Sequence, residues 1–347
     1  MKPYRVIKFE NKKEWEFYLK KVDSSILENS HNFLNIFKNY FKDTEPEIFY
    51  FEKNNSKYIY VYLKSKVLIG DYYHVHSPYC YGGFLTNDDS EVFFSLFRKN
   101  FVEYCNENKI VTEYVRLNPI TFKEKKFYKN YFDYFKLHSQ TLYIDLKNGY
   151  NAPFRESFRR KVKKASQNKN LSFTFNDQEN FKNFFDMYNL NMEVKNVNNF
   201  LKFDKYFFEN IDKYVKKDFY YPTIRLHDKI IAGAIFMKNN NFLDLYLAAS
   251  YPEAKENNGC NHMLFHNFFR KVYSNKNDIK SIHLGGGSDT LRFFKSGFAP
   301  EKNDYFIIKN IINKELYEKI LKININKINY DDFFPDKRFY NFSLLYG

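Results

Sequence analysis

The sequence predicts a mixed α/β chain of the α+β kind, in which tandem units each set a mixed central sheet against flanking helices. Three observations carry this. Hydrophobic residues make up 44% of the 347, with 41 Phe and 31 Tyr among them, which is enough for large cores. No Pro-, Gly- or Ser-rich linker divides the chain, and no apolar run reaches the roughly 20 residues needed to cross a membrane. One order of elements occurs twice without residue-level repetition: three antiparallel strands, helix, strand, helix, strand.

In the first half "EIFYFE", "KYIYVYL" and "VLIGDYYHV" read as strands from their β-branched and aromatic content. Asp89 to Asn108 carries apolar residues at helical spacing, "TEYVRL" is a strand, "TFKEKKFYKNYF" a helix and "TLYIDL" a strand. The second half opens with a basic helix, Phe154 to Ser166, and the strand "LSFTF". Helices over "QENFKNFFDMYNLNME" and "KFDKYFFENIDKYV" follow. Then come strands "YPTIRL", "KIIAGAIFM" and "NFLDLYLAAS", joined by turns at "HD" and "KNNN". A helix opens after Gly259, and the strand "SIHLGG", the short helix "SDTLRFFKSG" and the strand "DYFIIKNI" complete the set. A meander followed by a strand–helix–strand crossover makes two central strands parallel neighbours, and ligands gather at the carboxyl ends of such strands. We place the first domain at 1–148 and the second at 149–310, with the tail 311–347 packing back on the first.

The formal charge of +14 favours anionic partners: nucleotides, nucleic acid or the headgroups of a membrane touched peripherally. A Lys- and Asn-rich composition that only solvates the surface explains the same number. Cys80, Cys105 and Cys260 are odd in number and far apart, so neither a disulfide framework nor a zinc cluster is expected. The start lacks an apolar signal core, which reads as cytoplasmic.

Chemistry is most concentrated in "HLGGGSDTLRFFKSGF", His283 to Phe298. The chain has only eleven glycines, and Gly285, Gly286 and Gly287 stand together between a strand and a short helix. Glycine is costly to order, so the triplet implies a sharp bend or a close approach by a ligand or another layer. Ser288 or Asp289 would cap the helix, whose start attracts negative charge. Arg292 and Lys295 lie three apart, on one helix face, while Phe293, Phe294 and Phe298 can anchor the segment. Two cations on an apolar clamp suit an anion or oxyanion, and a solvated face beside a core helix accounts for them equally.

Elsewhere the signals are thinner. His262 and His266 are four apart on a helix but read "HMLFH", without the glutamate of HExxH, so no metal is expected there. His74 and His76 share a strand face with no carboxylate in view. Cys260 sits at a helix start but lacks an identifiable base. The helix bearing Arg155, Arg159, Arg160, Lys161, Lys163 and Lys164 faces either phosphates or solvent.

The stretch from Leu284 to Phe298 resembles the C-terminal motif of the Fem-type aminoacyltransferases, the peptidoglycan-bridge peptidyltransferases of the wider GNAT acyltransferase superfamily. The family pattern is a strand ending in LGGG, a short gap, then L-x-x-F-K-x-G-F. Leu284, Gly285, Gly286, Gly287, Leu291, Phe294, Lys295, Gly297 and Phe298 match it. "FRRKVKKASQNKNLSF" resembles the family's basic helix, with Asn170 in place of a glycine, and "KIIAGAIF" resembles its strand after the β-turn. "SPYCYGGF" and "VTEYVRLNP" resemble stretches of related chains. The similarity covers most of residues 70 to 310.

The resemblance implies two tandem GNAT-like domains and an acyl transfer from aminoacyl-tRNA to an amine of a peptidoglycan or nucleotide-sugar precursor, UDP-linked or lipid-linked. It implies no tightly bound cofactor, and it places Lys295 near the transfer site. Transfer from an activated ester needs a positioned amine, a proton acceptor and a stabilised oxyanion. Asp289 and His283 are the candidates for moving the proton. Both also read more simply, as a helix cap and a packed histidine. Arg116, Tyr79 and Tyr81 are candidates to line an acceptor groove, where Gly82 and Gly83 turn the chain. Acetyl-CoA enzymes of the superfamily carry R/Q-x-x-G-x-G/A before the helix that follows the fourth strand. Here the place reads "KENNGCNHML", with Asn258 and Gly259 left as candidates to meet a pyrophosphate. An acyl-CoA donor acting on a sugar amine is the first alternative. A non-catalytic nucleic-acid-binding protein on the same fold is the second.

Overall fold

In the computed structural model the described residues are 2–22, 26–150, 154–194, 202–257, 259–275, 278–322, 326 and 328–330. The chain begins with β1 (Tyr4–Lys8), α1 (Lys12–Leu19), α2 (His31–Tyr40), β2 (Thr44–Lys53), β3 (Ser56–Lys66), β4 (Tyr73–His76), β5 (Gly83–Thr86), α3 (Glu91–Glu107) and β6 (Ile110–Arg116). It continues through β7 (Tyr134–Asp145), α4 (Glu156–Ser166), β8 (Leu171–Thr174), α5 (Phe184–Val194), α6 (Lys205–Val215), β9 (Phe219–Tyr220), β10 (Thr223–Leu226), β11 (Lys229–Lys238) and β12 (Phe242–Ser250). Last come α7 (Pro252–Glu256), α8 (Cys260–Ser274), β13 (Ser281–Gly285), α9 (Asp289–Lys295), β14 (Glu301–Ile311) and α10 (Lys314–Leu321). Polar side chains start several of these helices. Asn11, Ser30, Ser90, Asp204, Ser288 and Asn313 each accept from the backbone N–H three residues on.

Two compact units result, one of Met1–His138 with Asp304–Gly347 and one of Ser139–Asn303. The sequence reading set the divisions at 148 and 310. The units divide instead inside β7 and β14.

In the first unit β2, β3 and β4 form an antiparallel meander, β4 lies parallel to β6, and β14 pairs antiparallel with β6. In the second β10, β11 and β12 form the meander, β12 lies parallel to β13, and β7 pairs antiparallel with β13. The same mixed pattern thus occurs in both. A strand that follows the first unit's β6 closes the second sheet, and one that follows the second unit's β13 closes the first.

Phe93, Phe94, Phe97 and Phe101 of α3 bury against Phe49, Phe51, Tyr58 and Tyr60 of the first sheet. Leu264, Phe265, Phe268 and Phe269 of α8 do the same in the second unit, with Phe158 of α4 and Phe298 beside them. Tyr317 and Leu321 of α10 pack with Val67, Val111 and Tyr114 of the first unit, and residues 331–347 of the tail lie outside the described residues.

Two expected elements differ. "TFKEKKFYKNYF" contains only a short 3-10 helix, Lys126–Asn130. Its aromatics are too frequent for one helical face, and Phe122, Phe127, Tyr128 and Tyr131 all turn onto the α3 core. Asn118 holds the start of the segment, its Oδ1 accepting from the N–H groups of Ile120 and Thr121. "VLIGDYYHV" is split, because residues 67–72 form the turn between β3 and β4, closed by Val67 N–H donating to Tyr72 O at 2.9 Å.

Candidate active site

The glycine triplet sits where β13 meets α9. Gly285 has φ +68° and Gly287 φ +123°, the left-handed region that side chains avoid, so the bend requires glycine at both. Ser288 caps α9 by accepting from Leu291 N–H. The Lys295 side chain turns back along α9, and its Nζ donates to Gly286 O at 2.6 Å. The motif therefore closes on itself, with its lysine, half-buried, fastened to the middle glycine of its own turn.

The rest of the motif anchors the turn. Phe298 is fully buried and Phe294 half-buried against Phe158, His262 and Phe265. Arg155, just before α4, donates from its backbone N–H to Gly297 O at 3.1 Å and from Nη2 to Ser296 Oγ at 2.5 Å. Burial, and then the nearby Lys161 charge, holds the His262 imidazole down at about 4, so it is neutral at neutral pH.

The other second-unit candidates go to separate partners. His283 is fully buried, with Nδ1 2.8 Å from Asp244 Oδ1, and the two face each other in the parallel register of β12 and β13. Asp289 is exposed and accepts from Arg292 Nη2 at 2.7 Å, so those two charges neutralise each other on the surface of α9. Arg159 is exposed on α4. Asn258 lies outside the described residues.

Gly259 opens α8 with φ +101°, and a Cβ there would stand 2.3 Å from Lys161 O. The start of α8 is thus pressed onto the backbone of α4. The short α7 fills the preceding loop, and Asn257 O accepts from Cys260 N–H at 3.0 Å. Burial pushes the Cys260 thiol up to about 12, which keeps it protonated and poorly nucleophilic.

In the first unit Tyr81 meets Tyr305 edge-on at 5.3 Å, and both are buried. Arg116 Nε reaches Tyr114 OH at 3.5 Å, and the guanidinium also feels Tyr305 and Tyr79. The exposed His138 ring stands edge-on to Tyr305 at 5.3 Å. Tyr81, Gly82, Gly83, Leu117 and Asn118 line a cavity of about 10 Å³, room for one water-sized group. Asn118 Nδ2 is buried there with no hydrogen-bond partner among the described residues.

The sequence reading passed over Asp244, Asn118, His138 and Tyr305. Asp244 alone left a trace, a carboxylate inside the apolar strand "NFLDLYLAAS". The described residues hold no group of three His, Cys, Asp or Glu able to bind a metal, and none of their helices is long and apolar enough to cross a membrane.

No family model and no curated protein matches the chain. Solved structures do. FemX superposes with a TM-score of 0.65, covering 92% of this chain and 100% of that one at 14% identity. A conserved protein of unknown function from Bacteroides thetaiotaomicron gives 0.58, at 89% and 100% coverage and 12% identity. A tandem GNAT protein from the clavulanic acid biosynthesis pathway, in its form without acetyl-CoA, gives 0.51, at 89% and 99% coverage and 8% identity. Likeness at these identities is one of fold. The chain has the Fem-like, tandem GNAT architecture.

Proposed function

We propose that the protein is an acyltransferase that moves an aminoacyl group from aminoacyl-tRNA to an amine of an anionic cell-envelope precursor. The observation that carries the reading is the Lys295 ammonium held on the Gly286 carbonyl at the carboxyl end of β13, the kind of position where ligands of such sheets gather. In the reaction the acceptor nitrogen attacks the ester carbonyl, the carbon–nitrogen bond forms, and the bond to the tRNA ribose oxygen breaks. The proton lost by the amine is replaced on the leaving oxygen. Lys295 supplies the positive charge that steadies the oxyanion or an adjoining phosphate.

His283 and Asp289, engaged as described, are better suited to holding β13 and α9 than to moving that proton. Arg116 with Tyr79 and Tyr81 is the acceptor-binding group of the first unit. Asn118 Nδ2 donates to one small acceptor group in the adjoining cavity. A tRNA donor is favoured over acyl-CoA by the start of α8. There Gly259 is pressed onto the Lys161 carbonyl of α4 and the Cys260 N–H is taken by Asn257 O, which leaves a pyrophosphate less room and one donor fewer. The α3 start, preceded by Asp88 and Asp89, repels phosphate in the first unit.

The test is transfer of radiolabelled amino acid from a charged tRNA pool to a UDP-linked peptidoglycan precursor. Label should reach the precursor, RNase should abolish this, and Lys295→Met should lower the rate at least 100-fold, about 2.7 kcal/mol of barrier, with the fold intact by circular dichroism. Transfer that consumes acyl-CoA and survives RNase overturns the donor. Full activity in Lys295→Met overturns the site.

A further inference from the structure

Among the described residues Phe293 is the most exposed of the large aromatic side chains, at 66%, and it projects from the middle of α9 two residues before Lys295. It is held in place. The Arg155 guanidinium lies over its ring at 4.6 Å, and the same Arg155 is tied to Ser296 Oγ and Gly297 O at the end of α9. The arginine and the ring therefore form a stacked, fixed pair that leaves much of the aromatic surface open. Neither Arg155 nor Phe293 belongs to the motif positions shared with the Fem-type enzymes.

From Arg155 a row of cations runs along α4. Arg159 and Lys163 follow at successive steps of four residues, roughly 6 Å apart along the axis. Arg160 and Lys164 stand exposed beside them, and Glu156 is the helix's single acidic residue. An open ring with a guanidinium on it suits a nucleobase, because every base has a π-face to stack. A row of cations leading away suits the phosphates that follow such a base. Phe293 with Leu291, 42% exposed on the same helix, would also suit an anionic lipid surface, so vesicle binding is one outcome of the test.

We propose that the Arg155–Phe293 pair and the α4 row form a docking surface for an unpaired RNA end. Phe293 stacks a terminal base two residues before Lys295 on α9, and Arg159 and Lys163 follow the backbone behind it. The inference rests on the tRNA-donor reading and deepens it, by naming the part of the donor that is grasped and the residues that grasp it.

The experiment is fluorescence anisotropy on the full chain. One probe is a labelled RNA stem with a four-nucleotide unpaired 3′ tail, the other the same stem made blunt. The wild type should prefer the tailed stem, and Phe293→Ala should weaken its binding roughly 5- to 100-fold while leaving the salt slope unchanged. Phe293→Trp should restore the preference. Arg159→Ala with Lys163→Ala should keep the preference and reduce the slope of log K against log salt by about 1–2. No tail preference in the wild type, or a preference that survives Phe293→Ala, overturns the proposal. So does Phe293-dependent binding to phosphatidylglycerol vesicles in the absence of RNA binding. Transfer that is RNase-sensitive but indifferent to Phe293 sinks this inference alone, whereas transfer from acyl-CoA sinks the donor reading beneath it.

Discussion

A methyl group at position 297 would stand 2.1 Å from the Phe158 ring, and that ring cannot retreat because His262, Phe294 and Phe298 surround it. Gly297→Ala should therefore destabilise the second unit by about 1–3 kcal/mol, the ordinary cost of overpacking, read as a lower urea midpoint at unchanged slope. It should also reduce transfer, since the strained end of α9 carries Lys295. The need for small residues in this motif was legible in the sequence. The direction of the lysine was not, because a side chain that folds back onto its own turn leaves no mark in residue spacing. Nor was the Asp244–His283 contact, since 39 residues separate the two and only the parallel register of β12 and β13 brings them together.

At the level of elements, α4 joins the candidate site to the α8 start. Its Phe158 seats the end of α9, and its Lys161 carbonyl lies against Gly259. Gly259→Ala meets both a positive φ and that carbonyl, so it should cost about 2–5 kcal/mol, measured by urea titration. If α8's start carried a CoA pyrophosphate, binding of acyl-CoA would fall in parallel. On the present reading a CoA titration shows no binding in either protein. The regular elements were readable wherever one periodicity ruled, as in α3 and β11. They were misread where aromatics saturate the pattern, as in residues 121–132, because helix, strand and irregular packing then bury the same rings. Side-chain capping of α2, of α10 and of four other helices is local chemistry, yet α2 and α10 went unread for want of a repeat to place them.

Across the whole molecule, stability should follow the pH through buried imidazoles. His76 is fully buried, with Nδ1–H donating to Ser77 O at 2.9 Å and Nε2 accepting from Ser65 Oγ at 2.9 Å. A second proton would turn Nε2 into a donor facing a hydroxyl with its own partner, Thr44, at 2.6 Å. Burial holds His76 down at about 4 from 6.5, and His74, stacked on it at 4.8 Å, is lowered for the same reason and by its neighbour. The unfolded chain takes up these protons near pH 6.5 while the folded chain refuses them until far lower. Their contribution is thus complete above pH 6.5 and falls away as the pH drops towards 4. For His76 alone the loss amounts to about 3 kcal/mol. Urea midpoints measured between pH 7.5 and 4.5 should decline accordingly. His76→Gln should start lower at pH 7.5 and decline less steeply, because it removes one of the groups that must otherwise charge. A midpoint that stays level across this range would mean that the β4 histidines accept protons in the folded chain, and the packing of β4 against β3 would then have to admit water.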